Sequence, residues 1–266
     1  MDVVILDSSE QVAQEGARMI GRLLRDNPAA VLGLASGQTP RAMYRALVRA
    51  HRDDGLSFRD VTTFNLDEYV GLEPGSPPSY RAYMHRELFD HVDIDRGNTF
   101  LPECPPGNDP RDVGPSYEAQ IARRGGIDLQ VLGVGVNGHI GFNEPASSLA
   151  SRTRIKTLTR ETIAANRRYF DDPADQPQLA ITMGIGTIMD AREVLLLATG
   201  DSKSETVHRL VEGPVTASCP ASMLQLHERA TVMLDTEAAA RLERRDYYDW
   251  VAAQKRAVLK RFGEDR

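Results

Sequence analysis

The stretch Val131–Glu144, VLGVGVNGHIGFNE, decides how the chain is read. It opens as an apolar run with β-branched residues, breaks at Gly133, Gly135 and Gly138, and delivers Asn137, His139 and Glu144 within a few positions. A strand buried on both faces is a short, nearly continuous apolar run, and Ile127–Val134 fits this apart from Asp128 and Gln130. Glycines at the strand's carboxyl end let the backbone turn sharply, and Gly135 lets a ligand approach it closely. In an open α/β sheet that end is where ligands bind. A histidine there suits proton transfer, and a glutamate five residues on can fix its tautomer or stabilise its charged form. His139 and Glu144 thus read as a proton-transfer unit, against the plainer reading of an ordinary glycine-rich strand-to-loop junction. The glycines read as GxGxNG and are not taken as a dinucleotide site.

Upstream, Val3–Leu6 reads as a strand, and Ser8 with Gln11 starts a helix in capping-box style. Ala30–Ala35 is the next buried strand. Ser36, Gly37, Gln38 and Thr39 then turn ahead of Pro40, placed as the first residue of a new helix. Unpaired N–H groups and the helix dipole make such a junction an anion site, while the alternative is a plain βα turn capped by Thr39. Val61–Asn65 is β-rich and followed by Asp67, Glu68 and Tyr69. Acids just past a strand's end suit general acid–base work, and equally suit solvated loop charges or a helix cap.

A helix is expected over Ser79–Phe89, irregular chain over Asp93–Pro115 with a short strand at Thr99–Leu101, and a helix over Ser116–Arg123. Leu179–Met183, Val194–Thr199 and Thr231–Leu234 complete the strands. The second runs into Gly200–Lys203 at a helix start, so Lys203 sits either beside a bound phosphate or in solvent. A terminal helix over Ala238–Phe262 carries Trp250 across the surface or an oligomer contact. Alternation of strands and helices without repeat or linker predicts an α/β fold: one domain over 1–266 with a mostly parallel, doubly wound, Rossmann-like sheet and helices on both faces.

The 266 residues suit one such domain, and 41% hydrophobic with 26% charged residues is ordinary for a globular protein. A net charge of −6 without a long basic run argues against nucleic acid. Cys104 and Cys219 are too few for a disulfide framework, and no signal peptide or run of the roughly 20 apolar residues that span a bilayer is seen. A reducing cytoplasm is the expected location.

At this point the residues carry a family resemblance. NGHIGFNEPASSLASRTRIKTLT, from Asn137 to Thr159, resembles the central motif of glucosamine-6-phosphate deaminases, also called isomerases, and FNLDEYVGL, Phe64–Leu72, resembles their second signature. With SGQTP at Ser36–Pro40 and SMLQLH at Ser222–His227, the likeness spans essentially the whole chain. It implies conversion of glucosamine 6-phosphate and water into fructose 6-phosphate and ammonia, with no metal, nicotinamide or pyridoxal cofactor. It implies that His139, oriented by Glu144, opens the ring and that Asp67 moves the proton from carbon 2 to carbon 1. Asn137 stands where some members have aspartate and others asparagine; its amide cannot act as a base but can hold the histidine or a sugar hydroxyl.

Phosphate binding is implied for Ser36, Gly37, Gln38, Thr39, Lys203 and Arg168, the last from a polar lid over about 156–178, whose alternative reading is a surface helix pair. SSLASRTRIKT resembles the effector segment of regulated members, which implies activation by N-acetylglucosamine 6-phosphate through Ser147, Arg154, Lys156, Thr157 and Tyr247, in a homohexamer. The alternative for Arg154 and Lys156 is pairing with acids at a subunit contact. Two rival classes share the general pattern: a 6-phosphogluconolactonase-like hydrolase, and a non-catalytic sugar-phosphate effector domain of a transcription regulator. FNLDEY and FNEPASS favour the deaminase, and an effector domain would normally bring a DNA-binding helix pair before the fold, whereas the first strand is expected at Val3.

Overall fold

The computed structural model describes residues 1–167, 170, 172 and 176–262. Seven parallel strands form the main sheet: β1 (Asp2–Leu6), β2 (Val31–Leu34), β3 (Thr62–Asn65), β5 (Thr99–Phe100), β6 (Leu129–Gly133), β9 (Glu193–Ala198) and β10 (Ala230–Asp235). Their spatial order is β1-β10-β9-β6-β2-β3-β5. The period-2 alternation of strand side chains divides the core into two layers. Leu32, Leu34, Val131, Leu195, Leu197 and Met233 pack with Ile20 of α1 (Ser9–Asp26) and Met43, Tyr44 and Leu47 of α2 (Gln38–Asp54). Leu132, Val194, Leu196 and Val232 pack with Tyr117 and Ile121 of α4 (Pro110–Arg123), Ile188 of α6 (Ile185–Met189) and Leu210 of α7 (Ser204–Val211).

The two polar residues in the central run have structural explanations. Asp128 accepts from the Val31 backbone N at 2.7 Å and from Arg192 at 2.7 Å, tying β2 to the start of β6. Gln130 lies over Gly33, where any Cβ would meet its Oε1 at 2.0 Å. Ser8 caps α1 as its sequence signals, accepting from Gln11 N at 3.2 Å, but Gln11 returns its bond to Asp7 N rather than to Ser8.

Several expectations are corrected. Leu179–Thr182 is a strand, β8, yet it leaves the main sheet and pairs antiparallel with β4 (Asp67–Tyr69) and β7 (Arg154–Thr157). The pairing is enforced where Met183 N donates to Leu66 O at 2.6 Å. Asp67, Glu68 and Tyr69 are therefore strand residues, all buried, not loop charges. Pro40 is the third residue of α2, not the first; Gly37, at φ 125°, holds the N-cap position and no side chain caps it. The helix before β6 begins at Pro110, capped by Asp109, because proline at the first turn costs no hydrogen bond. The last helix, α8 (Arg245–Phe262), starts later than expected, since Ala238, Ala239 and Leu242 are buried in turns that close the core. Among the described residues no helix is long and apolar enough to cross a membrane.

Candidate active site

The strand order reverses between β2 and β6: the chain steps outward from β2 through β3 to β5, and from β6 the other way to β9. Loops leaving adjacent strands in opposite directions open a crevice at their carboxyl ends. A cleft of about 740 Å³ lies there, lined by Ser36–Thr39 after β2, Asp67 after β3, Gly135 and His139 after β6, and Lys203 after β9. These positions, read from separate stretches of sequence, thus share one cavity. Gly133, Gly135 and Gly138 do match the spacing of a dinucleotide fingerprint, but β6 runs into a turn and not the helix such a fingerprint requires.

That turn is held from behind. Thr206 donates to Val136 O at 2.5 Å, Ala221 N to Gly138 O at 2.9 Å and Ala146 N to Ala217 O at 2.9 Å. Gly138, at φ 92°, packs on Cys219, whose Sγ would lie 2.6 Å from an added Cβ. The His139 ring folds back over Gly135, where a Cβ would meet Cε1 at 2.2 Å. The position after β6 therefore requires glycine for the histidine to face the cleft.

Asn137 links the other two polar groups. Its Nδ2 donates to Glu144 Oε2 at 2.7 Å, while its Oδ1 accepts from His139 N at 3.1 Å and lies 2.8 Å from His139 Nδ1. His139 Nδ1 is also 3.4 Å from Glu144 Oε2. Both neighbours of Nδ1 are acceptors, which assigns the proton of a neutral imidazole to Nδ1 and leaves Nε2 with its lone pair. The bond from His139, with help from Asn137 and Thr162, keeps the Glu144 carboxyl below its ordinary range despite partial burial. Glu144 therefore touches the histidine both directly and through Asn137.

Asp67 lies across from this turn, and an added Cβ on Gly141 would come 3.3 Å from its Oδ2. Burial first, and the neighbouring Glu68 second, push Asp67 up to about 8. Glu68 is also raised by burial, but its carboxylate accepts three backbone N–H groups, from Tyr69 (2.9 Å), Tyr80 (3.0 Å) and Arg81 (3.0 Å). Adjacent acids on a strand point to opposite faces. Here Glu68 ties β4 to the start of α3 (Tyr80–Glu87), while Asp67, in the cleft wall, has no such donors among the described residues.

At the anion end, the uncapped first turn of α2 offers its N–H groups, and Tyr83 Oη donates to Gly37 O at 2.6 Å, bracing the loop. Lys203, half-buried in a single 3₁₀ turn, has its ammonium pushed below the ordinary lysine value by burial. Arg168 lies outside the described residues. From α5 (Arg160–Asn166), Thr162 donates to Glu144 Oε1 at 3.3 Å.

Sequence reading missed Thr162, Arg41, Tyr80, Tyr83 and Glu87, all of which but Thr162 sit on α2 or α3 and all of which line the cleft. Tyr80, Tyr83 and Glu87 recur at i, i+3 and i+7, so helical spacing marks them as one face, though not what that face meets. Of the five positions read as an effector site, Ser147 is buried and its Oγ has no hydrogen-bond partner among the described residues. Arg154 and Lys156 share one side of β7 and Thr157 lies on the other. Tyr247 is 59% exposed on α8, which packs against β1 at the far edge of the main sheet. None of the five lines the catalytic cleft.

Residues 7–233 match the family model described as glucosamine-6-phosphate isomerases/6-phosphogluconolactonase. A glucosamine-6-phosphate deaminase of Colwellia psychrerythraea is 53% identical over 99% of this chain and 98% of its own length. One of Hahella chejuensis is 54% identical over 96% and 97%. A solved structure described as a monomeric glucosamine-6-phosphate deaminase, 43% identical, superposes with a TM-score of 0.86 over 91% of this chain and 100% of the other. The cleft at the β2–β6 switch point and these matches agree: the chain belongs to the glucosamine-6-phosphate isomerase/6-phosphogluconolactonase family.

Proposed function

We propose that the chain is an aldose–ketose isomerase and deaminase that converts glucosamine 6-phosphate and water into fructose 6-phosphate and ammonia. The observation that carries this is the pairing, in one cleft, of a histidine whose Nδ1 faces acceptors and a buried carboxyl raised to about 8, beside the start of α2, which no side chain caps among the described residues. Ring opening needs a base at the anomeric hydroxyl and an acid at the ring oxygen; His139 serves both by taking the proton on Nε2 and returning it, with Glu144 and Asn137 stabilising the imidazolium. The Asp67 carboxylate then removes the proton on carbon 2 while the substrate's ammonium passes a proton to oxygen 1, giving an enolamine, and the Asp67 carboxyl so formed, after exchange with solvent, protonates carbon 1. The resulting iminium at carbon 2 adds water and releases ammonia. The ketone is left behind. Lactone hydrolysis requires no carbon acid chemistry, so the buried Asp67 is the feature a lactonase would not use.

Ser36–Thr39 and Lys203 hold the phosphate through charge-assisted bonds, about twice as strong as neutral ones, joined by Arg168 as the segment 156–178 closes as a lid. The tie from Thr162 to Glu144 supports that lid reading. Two free, buried cysteines fit a reducing cytoplasm.

Regulation at Ser147, Arg154, Lys156, Thr157 and Tyr247 belongs to the same proposal, supported by the Ser147 hydroxyl, unpaired among the described residues, and the two cations on one side of β7. Against a required hexamer stands the relative described as monomeric. A coupled assay of ammonia release from glucosamine 6-phosphate, run beside hydrolysis of 6-phosphogluconolactone, tests the activity. Release from the amino sugar alone is expected, and lactone hydrolysis alone would replace the proposal.

A further inference from the structure

The cleft that Lys203 lines also carries an ion-pair arrangement that the proposed reaction does not use. Glu87, at the end of α3, has a side chain only 5% exposed, and its two oxygens take Arg41 Nε (2.9 Å) and Arg86 Nε (3.3 Å). A buried carboxylate is retained only where its charge is compensated, and two guanidiniums leave the wall with a net positive charge. Arg41 sits in α2 two residues after Thr39, is 37% exposed at its side chain, and lines the cleft. With Nε engaged by Glu87, its Nη1 and Nη2 have no partner among the described residues. The same helix α3 donates Tyr83 Oη to Gly37 O, so one element fixes both the loop and the arginine beside it.

We infer that Arg41, aimed by Glu87, is a phosphate-binding and specificity residue of this cleft. A phosphate monoester presents three strongly accepting terminal oxygens. The start of α2, Lys203 and Arg41 line the same cleft, and the guanidinium's two Nη groups suit a bidentate contact that an ammonium cannot make. Glu87 would repel a phosphate if it were bare; engaged by two arginines, it serves as their anchor. Arg41 thereby favours phosphorylated over unphosphorylated sugar.

The inference rests on the proposed deaminase reading, and its test separates the two. In Arg41→Ala, KM for glucosamine 6-phosphate and the inhibition constant of inorganic phosphate rise together by roughly 10- to 100-fold, the range for a hydrogen bond to a charged group, and kcat falls by less than KM rises. Arg41→Lys, which keeps the charge without the fork, shows a smaller rise in both. Glu87→Gln, which keeps the shape, raises both in the same direction without loss of the thermal transition. KM and phosphate inhibition within twofold of wild type in Arg41→Ala would overturn the inference, as would a rise in KM with phosphate inhibition unchanged. Should Arg41→Ala fail to fold, Arg41→Lys and Glu87→Gln carry the same comparison. Should the wild type release no ammonia, calorimetric titration of wild type and Arg41→Lys with inorganic phosphate still decides whether Arg41 binds the anion, and equal affinities would count against it.

Discussion

Asn137 donates its side-chain amide to Glu144 Oε2 at 2.7 Å. Since its carbonyl faces Nδ1 of His139, the amide passes the orientation of the carboxylate on to the imidazole without adding charge. Asn137→Asp places a second carboxylate beside Glu144 and the ring, which stabilises imidazolium and raises the histidine's pKa. The neutral base is then reached at higher pH. The acid limb of kcat/KM is expected to move upward in the variant, and a superimposable pH profile would remove the relay role.

Asp67 gives a second pH dependence. As a base it must be ionised, so kcat/KM should rise as pH increases toward about 8. The linked stability effect has the opposite sense. A carboxyl whose folded pKa is raised carries no penalty below its unfolded value near 4, and destabilises the fold progressively as pH rises from there to about 8. Asp67→Asn should therefore melt higher than wild type at pH 8, with the gap closing near pH 4, while losing carbon 2 exchange. Equal melting temperatures at both pH values would show that Asp67 is not the buried group described.

Thr162 tests the link between α5 and the site. Thr162→Val removes the hydroxyl bonded to the ionised Glu144 at nearly constant shape, and kcat should fall by about 10-fold, the lower end for a hydrogen bond to a charged group, with Thr162→Ser restoring it. Valine and serine variants of equal rate would detach the helix from the chemistry.

Gly135→Ala should act locally. The new Cβ displaces the His139 ring and not the core, so ring opening drops by about 100-fold or more, the scale of positioned acid–base catalysis, while the melting temperature changes little. Full activity would mean that the ring works from another position.

Most of the main sheet was legible in the sequence because its central strands are apolar runs; β2, β6, β9 and β10 fall within a residue or two of their expected ends. The partner of a run is not written in its composition, and so the departure of β8 into the small sheet was not readable. The same pairing gives Asp67 its burial, so sequence marked the residue but left its environment open. His139, Asn137 and Glu144 were readable because the turn is local, and Lys203 because it ends a strand. Arg41 and Glu87 lie 46 residues apart and meet only when α2 and α3 pack, so neither stood out alone.

Effector control has its own outcome. Substrate titrations with and without N-acetylglucosamine 6-phosphate should turn from sigmoidal to hyperbolic, with coupling of about 1–3 kcal/mol that Arg154→Ala abolishes. Identical hyperbolic curves would remove regulation and leave catalysis intact.

The central claim is that Asp67 carries the carbon 2 proton during deamination of glucosamine 6-phosphate. The direct measurement is to run the purified chain in deuterium oxide, following ammonia release and deuterium at carbon 1 of the fructose 6-phosphate formed, beside Asp67→Asn. The wild type should release ammonia and place solvent deuterium at carbon 1, and the variant should bind the sugar phosphate while doing neither. Ammonia release and deuterium incorporation at the wild-type rate in Asp67→Asn would contradict the account.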